Sequence, residues 1–190
     1  MPEDFSPPGV DGLQILRATE ADLPEVLGLL TEAASWSRTV GIEGLWRVPY
    51  PAEWVLPSLR RHEVYLARWD GATAGTLTFR WDDRPTWGER PPEAAYVHKL
   101  AVRRSLKGLQ IGARMLDWSG AKAAREGRAW LRLDCLRSHA ILRSYYEALG
   151  FRRVREATVE GNVVTLLERP TPLDTEGPRP RSAKRRDGQY

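Results

Sequence analysis

Between Tyr96 and Leu116 the chain reads Tyr-Val-His-Lys-Leu-Ala-Val, then Arg-Arg-Ser-Leu-Lys-Gly-Leu-Gln-Ile-Gly, then Ala-Arg-Met-Leu. The first stretch has the apolar content of a buried strand, the second is a basic loop carrying glycine, and the third opens a helix. A loop feeding a helix N-terminus offers unpaired backbone N–H groups and the positive end of the helix dipole. An anion such as a phosphate is its natural occupant.

Taken in order, the rest of the chain supplies layers for this unit to pack on. Leu13 to Ala18 predicts a first strand. Asp22-Leu-Pro-Glu25 has the form of a capping box, with Thr19 as a rival cap, and Leu23, Val26, Leu27 and Leu30 carry helical spacing to about Ala34. Gly41, Gly44, Pro49, Pro51 and Pro57 punctuate a tryptophan-rich segment that predicts a loop and a short helix around Glu53–Arg60. Asp70-Gly71 between two apolar runs predicts a β-hairpin. A loop from Asp82 to Pro92 leads into the Tyr96 strand. Beyond the basic loop, Gly112, Met115, Leu116, Ser119 and Ala123 form the inner stripe of an amphipathic helix, followed by a strand at Ala129–Cys135. Ser138 is placed to cap a helix carrying Leu142, Tyr145, Tyr146 and Leu149 inward, with Gly150 as its stop. Strands near Arg152–Thr158 and Val163–Leu167 follow, joined by a turn at Glu160–Asn162. The reading is one mixed α/β domain over residues 13–169, with a loose segment at 1–12 and a disordered basic tail at 170–190.

Bulk properties exclude several functions. A chain of 190 residues suits one well-cored domain, and no apolar run approaches a membrane span. The acidic, proline-bearing start lacks the features of a signal peptide. Cys135, the single cysteine, rules out an internal disulfide and suits a reducing, cytoplasmic setting. The net charge of +4 is spread along the chain except in the tail and suits a ligand carrying several phosphates; charge alone does not decide the partner, and nucleic acid is not the expected one.

Phosphate-loop alternatives fail on spacing. No Gly-x4-Gly-Lys-Ser/Thr run occurs, and Gly108 and Gly112 do not make a dinucleotide fingerprint. His62, His98, His139 and Cys135 show no metal-ligand spacing, and no serine stands on a glycine-flanked elbow. Instead, Leu100-Ala-Val102, the Lys107–Ala113 loop with its helix, and Tyr145-Tyr-Glu-Ala-Leu-Gly-Phe151 together resemble the GCN5-related N-acetyltransferase (GNAT) superfamily, from about Leu13 to Arg169. That resemblance implies a mixed, mostly antiparallel central sheet flanked by helices, with a splayed strand pair forming an acetyl-CoA cleft.

The same resemblance implies acetyl-CoA as co-substrate and a primary amine of a small molecule or peptide as acceptor. Backbone amides of Lys107, Gly108, Leu109, Gln110, Ile111, Gly112 and Ala113 would hold the pyrophosphate. Pantetheine would lie along Leu100, Ala101 and Val102, with His139 standing where the family carries Asn and Tyr145 as a cofactor wall. Tyr146 matches the proton-donor tyrosine. Lys107 replaces the usual Gln or Arg, and Gln110 replaces a glycine, where it is expected to be helical with its side chain turned outward.

The base is read from the residues. His98 lies two before Leu100, so alternation places both on one face, and its chemistry suits the task as well as it suits a structural histidine. Glu93 acting through water and Asp134 on the neighbouring strand are further candidates. Backbone N–H near Lys99–Leu100 would meet the oxyanion if the strand bulges there. Trp36, Trp46, Trp54 and Trp87, with Glu43 and Glu53, build an acceptor pocket in one reading, and core or a homodimer face in another. The alternative to an enzyme is a CoA-binding regulatory module without turnover.

Overall fold

Asp70 and Gly71 both take positive φ (49° and 78°), as do Glu160 and Gly161 (49° and 80°). Two successive left-handed residues make the turn whose twist matches that of antiparallel strands, so each pair closes a hairpin. A computed structural model describes residues 12–41 and 46–172, and the chain in it runs β1 (Leu13–Arg17), α1 (Leu23–Thr39), α2 (Leu56–Arg61), β2 (Glu63–Trp69), β3 (Ala72–Arg80), α3 (Arg84–Trp87), β4 (Ala94–Val102), α4 (Ile111–Arg125), β5 (Trp130–Leu136), α5 (Ala140–Ala148), β6 (Arg152–Val159) and β7 (Asn162–Pro170). Glu43, the segment before Gly12 and the tail from 173 onward lie outside the described residues.

The strands form one sheet in the order β1-β2-β3-β4-β5-β7-β6. Every neighbouring pair is antiparallel except β4 and β5, which are joined by the α4 crossover and run parallel. That parallel pairing is short. It joins Ala94, Ala95 and Tyr96 to Trp130, Leu131 and Arg132, and past those residues the strands part. β4 continues on β3 as far as Val102, and β5 continues on β7 as far as Leu136. A wedge therefore opens in the middle of the sheet.

Apolar side chains cover both faces. On one, Leu77, Phe79, Val97, Leu131, Leu133 and Cys135 pack with Ile111, Met115 and Leu116 of α4 and Tyr146 of α5. On the other, Val26, Leu29 and Leu30 of α1 meet Leu66 and Ala101, while Trp87 joins Tyr96, Leu136 and Leu166 further down.

Several boundaries differ from expectation for local reasons. α1 is preceded by a 3-10 turn at Glu20–Asp22 that Thr19 caps, its N–H and hydroxyl both donating to Asp22 Oδ2 at 2.8 and 2.9 Å, and Asp22 is in turn the N-cap of α1. α1 also runs five residues beyond Ala34. The second helix begins only at Leu56, after a separate 3-10 turn at Ala52–Trp54. The Asp82–Pro92 loop contains α3, and β7 extends to Pro170, where the Thr171 N–H is still held by Ala129 O at 2.9 Å.

Candidate active site

The loop before α4 is shaped to leave its amides free. Gly108 (φ 94°) and Gln110 (φ 58°) both take left-handed conformations. Gln110 is thus not helical, as expected from its side chain, but keeps the dihedral a glycine would take there, because α4 can start at Ile111 only if the chain reverses at its cap. The N–H groups of Gly108, Gln110, Ile111, Gly112 and Ala113 meet no acceptor among the described residues. Lys107 and Leu109 are exposed beside them, whereas Ile111 is buried in the core. A Cβ on Gly112 would lie 2.9 Å from Tyr145 Oη, so the hydroxyl fills the space a side chain would need. Glu32 of α1 anchors the approach to this loop, accepting from Arg104 N at 2.7 Å and Arg103 Nη1 at 3.1 Å.

On β4 the register slips between Thr76↔Ala101 and Thr78↔His98, so Lys99 and Leu100 oppose Leu77 alone. This is a β-bulge, with Lys99 at φ 53°. The bulge overturns the simple alternation. Leu100 packs with the α4 face, Ala101 with the α1 face, and His98 faces away from Leu100. Lys99 turns toward α2, donating to Trp54 O at 2.6 Å and Ser58 Oγ at 3.3 Å. Burial and the nearby Arg80 charge lower its ammonium pKa to about 8.

α5 brings Tyr146 beneath the wedge. His139, not Ser138, is its cap: Nδ1 accepts from Leu142 N at 3.2 Å, which leaves Nε2 as its remaining polar atom. Burial lowers the pKa of this imidazole. At the other end, Phe151 N donates to Tyr146 O (3.1 Å) and Gly150 N to Glu147 O (3.0 Å), with Gly150 at φ 84°. These are the paired bonds of a Schellman stop, and the Tyr146 and Phe151 rings touch across it at 5.8 Å. Tyr146 is buried and its hydroxyl makes no hydrogen bond among the described residues. Burial, with Cys135, Tyr145 and Asp134 adding to it, pushes its pKa far up, so the phenol keeps its proton.

Three acid–base groups meet on the α1 face where the strands part. His98 Nε2 lies 3.1 Å from Asp83 Oδ2, and His98 Nδ1 lies 3.6 Å from Asp134 Oδ1. Burial raises Asp134, with Asp83 adding to it. Burial also acts to raise Asp83, but His98, Thr86 and Arg80 outweigh it and hold the carboxyl below its ordinary value. Glu93 is not brought to this group. Its carboxylate accepts from Arg132 Nη2 at 2.9 Å, at the closed end of the β4–β5 pair, roughly 16 Å along the strand from His98. Arg132 also bonds Glu168 and Tyr96 Oη, so Glu93 completes a structural network. Of the tryptophans, Trp87 is core. Trp46 and Trp54 stand edge-on to Tyr50 at 5.6 and 5.7 Å, and Trp36 lies under the Arg104 guanidinium at 4.0 Å.

A split sheet, a bulge on the strand beside the split and free amides at the following helix succeed one another along the chain from β4 into α4. The model of the Acetyltransferase (GNAT) family matches residues 29–151. The chain belongs to that family. It is similar to the uncharacterized N-acetyltransferase YesJ of Bacillus subtilis (strain 168), 29% identical over 150 residues that span 74% of this chain and 82% of that protein. The fold is shared with a GNAT-family acetyltransferase from Listeria monocytogenes 4b F2365, at a TM-score of 0.67 and 21% identity, covering 83% of this chain and 94% of that one. A GNAT-family acetyltransferase from Elizabethkingia anophelis, solved with acetyl-CoA bound, gives 0.58 at 20% identity, covering 85% and 99%.

In this GNAT N-acetyltransferase the sequence motifs mark the loop and α5 well, and miss two residues of the α1 face. Asp83 stands in a polar loop fifteen positions before His98, and no spacing rule connects them. Lys99 reads as an ordinary strand lysine until the bulge turns it inward. The one available signal for both is chemical: a lysine and a histidine side by side in an otherwise apolar strand need partners.

Proposed function

We propose that this chain is an acetyl-CoA-dependent N-acetyltransferase that passes an acetyl group to a primary amine of a small molecule or peptide by direct attack, with Tyr146 as general acid. The observation that carries the reading is the wedge: two backbone edges freed past Tyr96 and Arg132, with α4 amides at one end and the Tyr146 hydroxyl below. These residues fit the co-substrate. The free amides of Gly108 and of Gln110 to Ala113 would hold its pyrophosphate, whereas those of Lys107 and Leu109 already donate to Arg104 O and Leu106 O. The edge at Leu100–Val102 would pair with its pantetheine arm, and Tyr145 would wall the site over Gly112. When bound, acetyl-CoA supplies the activated acetyl group and a thiolate leaving group.

The chain's own groups do the rest. The bulged backbone at Lys99–Leu100 aims an N–H toward the developing oxyanion. Tyr146 keeps its proton at any working pH and offers it to the departing sulfur. An amine of ordinary pKa is about one part in a thousand neutral at pH 7, a handicap of roughly 4 kcal/mol, so a proton acceptor on the amine's side is needed. His98 is that acceptor, because it alone among the candidate bases stands between two carboxylates at the mouth of the wedge. Glu93, bound to Arg132, is not. The lone, buried Cys135 supports a reducing, cytoplasmic setting.

The test is release of free thiol from acetyl-CoA over a panel of amines, with CoA affinity measured separately by calorimetry. Tyr146→Phe should lower kcat about a hundredfold and leave CoA affinity unchanged. Tight CoA binding with no thiol release from any amine, in native protein and variant alike, would make the chain a CoA-binding regulatory module instead.

A further inference from the structure

The turn after β3 delivers Asp83 beneath β4, where none of the roles above employs it. Asp83 is buried, with 1% of its side chain exposed, while His98 and Asp134 are both partly exposed, at 17% and 19%. Asp83 is therefore the inner member of the group. Among the described residues neither Asp83 oxygen nor His98 Nε2 has an aligned hydrogen bond, their own approach included, and the 3.1 Å from Nε2 to Oδ2 is what pairs them. Arg80 Nη1, 3.6 Å from Asp83 Oδ1, steadies the carboxylate from the far side.

A neutral imidazole has one N–H and one lone pair. Held between two carboxylates, it can point the N–H at only one of them, and the other contact then needs a shared proton. The buried, anionic Asp83 is the better partner for the N–H. That leaves the lone pair on Nδ1, the nitrogen facing Asp134 at 3.6 Å.

We propose that Asp83 is a positioning residue for acetyl transfer, fixing His98 as the Nε2–H tautomer so that Nδ1, with Asp134 beside it, takes the proton from the acceptor amine. As the amine's lone pair forms the new N–C bond, one N–H bond breaks, its electron pair stays on nitrogen, and an Nδ1–H bond forms on His98. Asp83 and Asp134 flank the resulting imidazolium. The catalytic part of this rests on reading His98 as the base. The charged and titratable groups facing His98 are Asp83 and Arg80 from β3 and its turn, Asp134 from β5, His62 from the end of α2, and Lys99 from its own strand. Single donor atoms of Asp83, His98 and Asp134 lie within 4.8 Å of one another, so a divalent cation is the rival occupant.

Ring-nitrogen NMR of ¹⁵N-histidine-labelled, full-length protein tests this directly, with His98 assigned by its loss in His98→Gln. The native protein should show the Nε2–H tautomer; the Nδ1–H tautomer would overturn the proposal without any variant. In Asp83→Asn, a substitution of the same shape, the His98 titration midpoint should fall by about one pH unit. The acidic limb of kcat/KM should move down with it, with CoA affinity unchanged. An unmoved midpoint and limb would give Asp83 a merely structural role and overturn the assignment. Native turnover in His98→Gln would instead remove the base reading, whatever the tautomer. A His98 titration seen only after a chelator and suppressed again by zinc would replace the proton relay with a metal site.

Discussion

Gln110 holds a conformation its own Cβ resists. At φ 58° a glutamine costs roughly 1 kcal/mol more than glycine would, so Gln110→Gly should raise unfolding stability by about that amount in a urea titration, less a few tenths for the freer unfolded chain. The residue shows what sequence resolves at this scale. Its place in the motif was legible, because Lys107, Gln110 and Gly112 keep the loop's spacing. Its dihedral was not, because side-chain preference favoured the helix while closure of the loop onto α4 decided otherwise. His98 and Leu100 fail for a similar reason. Their separation of two predicts one face, and the Lys99 bulge, which no local residue announces, sends them to opposite faces. Asp83 needed the fold itself, since its meeting with His98 depends on how the turn after β3 carries the chain under β4.

At the scale of elements, turn chemistry was the most readable layer. Asp70-Gly71 and Glu160-Gly161 fixed both hairpins, and Gly150 ended α5 as expected. The elements between α1 and β4 were harder, because α2 and α3 are too short to develop a periodic stripe and proline lies within the first two positions of each. α5 shows why its stop matters. The Phe151 and Gly150 bonds to the last turn of the helix also fix the azimuth of Tyr146, whose ring packs on Phe151. Gly150→Ala forces φ 84° on a residue with a Cβ and should cost about 1–2 kcal/mol in chemical denaturation. Turnover should fall further than the small loss of folded protein explains, since the hydroxyl moves with the helix end.

For the whole molecule, the half-buried Lys99 sets an unusual dependence on pH. Its folded pKa of about 8 lies below the ordinary 10.5. Between those values the unfolded chain binds the extra proton, so stability rises with pH. Tyr50, pushed up to about 12 by burial and by Glu160, acts oppositely once the unfolded phenol ionises near pH 10. Cys135, pushed up to about 11 by burial, opposes Lys99 once the unfolded thiol ionises near pH 9, so the urea midpoint should climb from about pH 7.5 to about 9 and then fall, and Lys99→Met should flatten the climb. The wedge between β4 and β5 has a consequence of another kind. Most sheets keep their unpaired edges at the rim, where charge or a covering loop guards them. This one carries two more in its interior, past Tyr96 and Arg132. They are ready to template a strand from any chain that reaches them. The opening that admits a substrate is thus also the molecule's exposure to aggregation, and a ligand seated there would act as its guard.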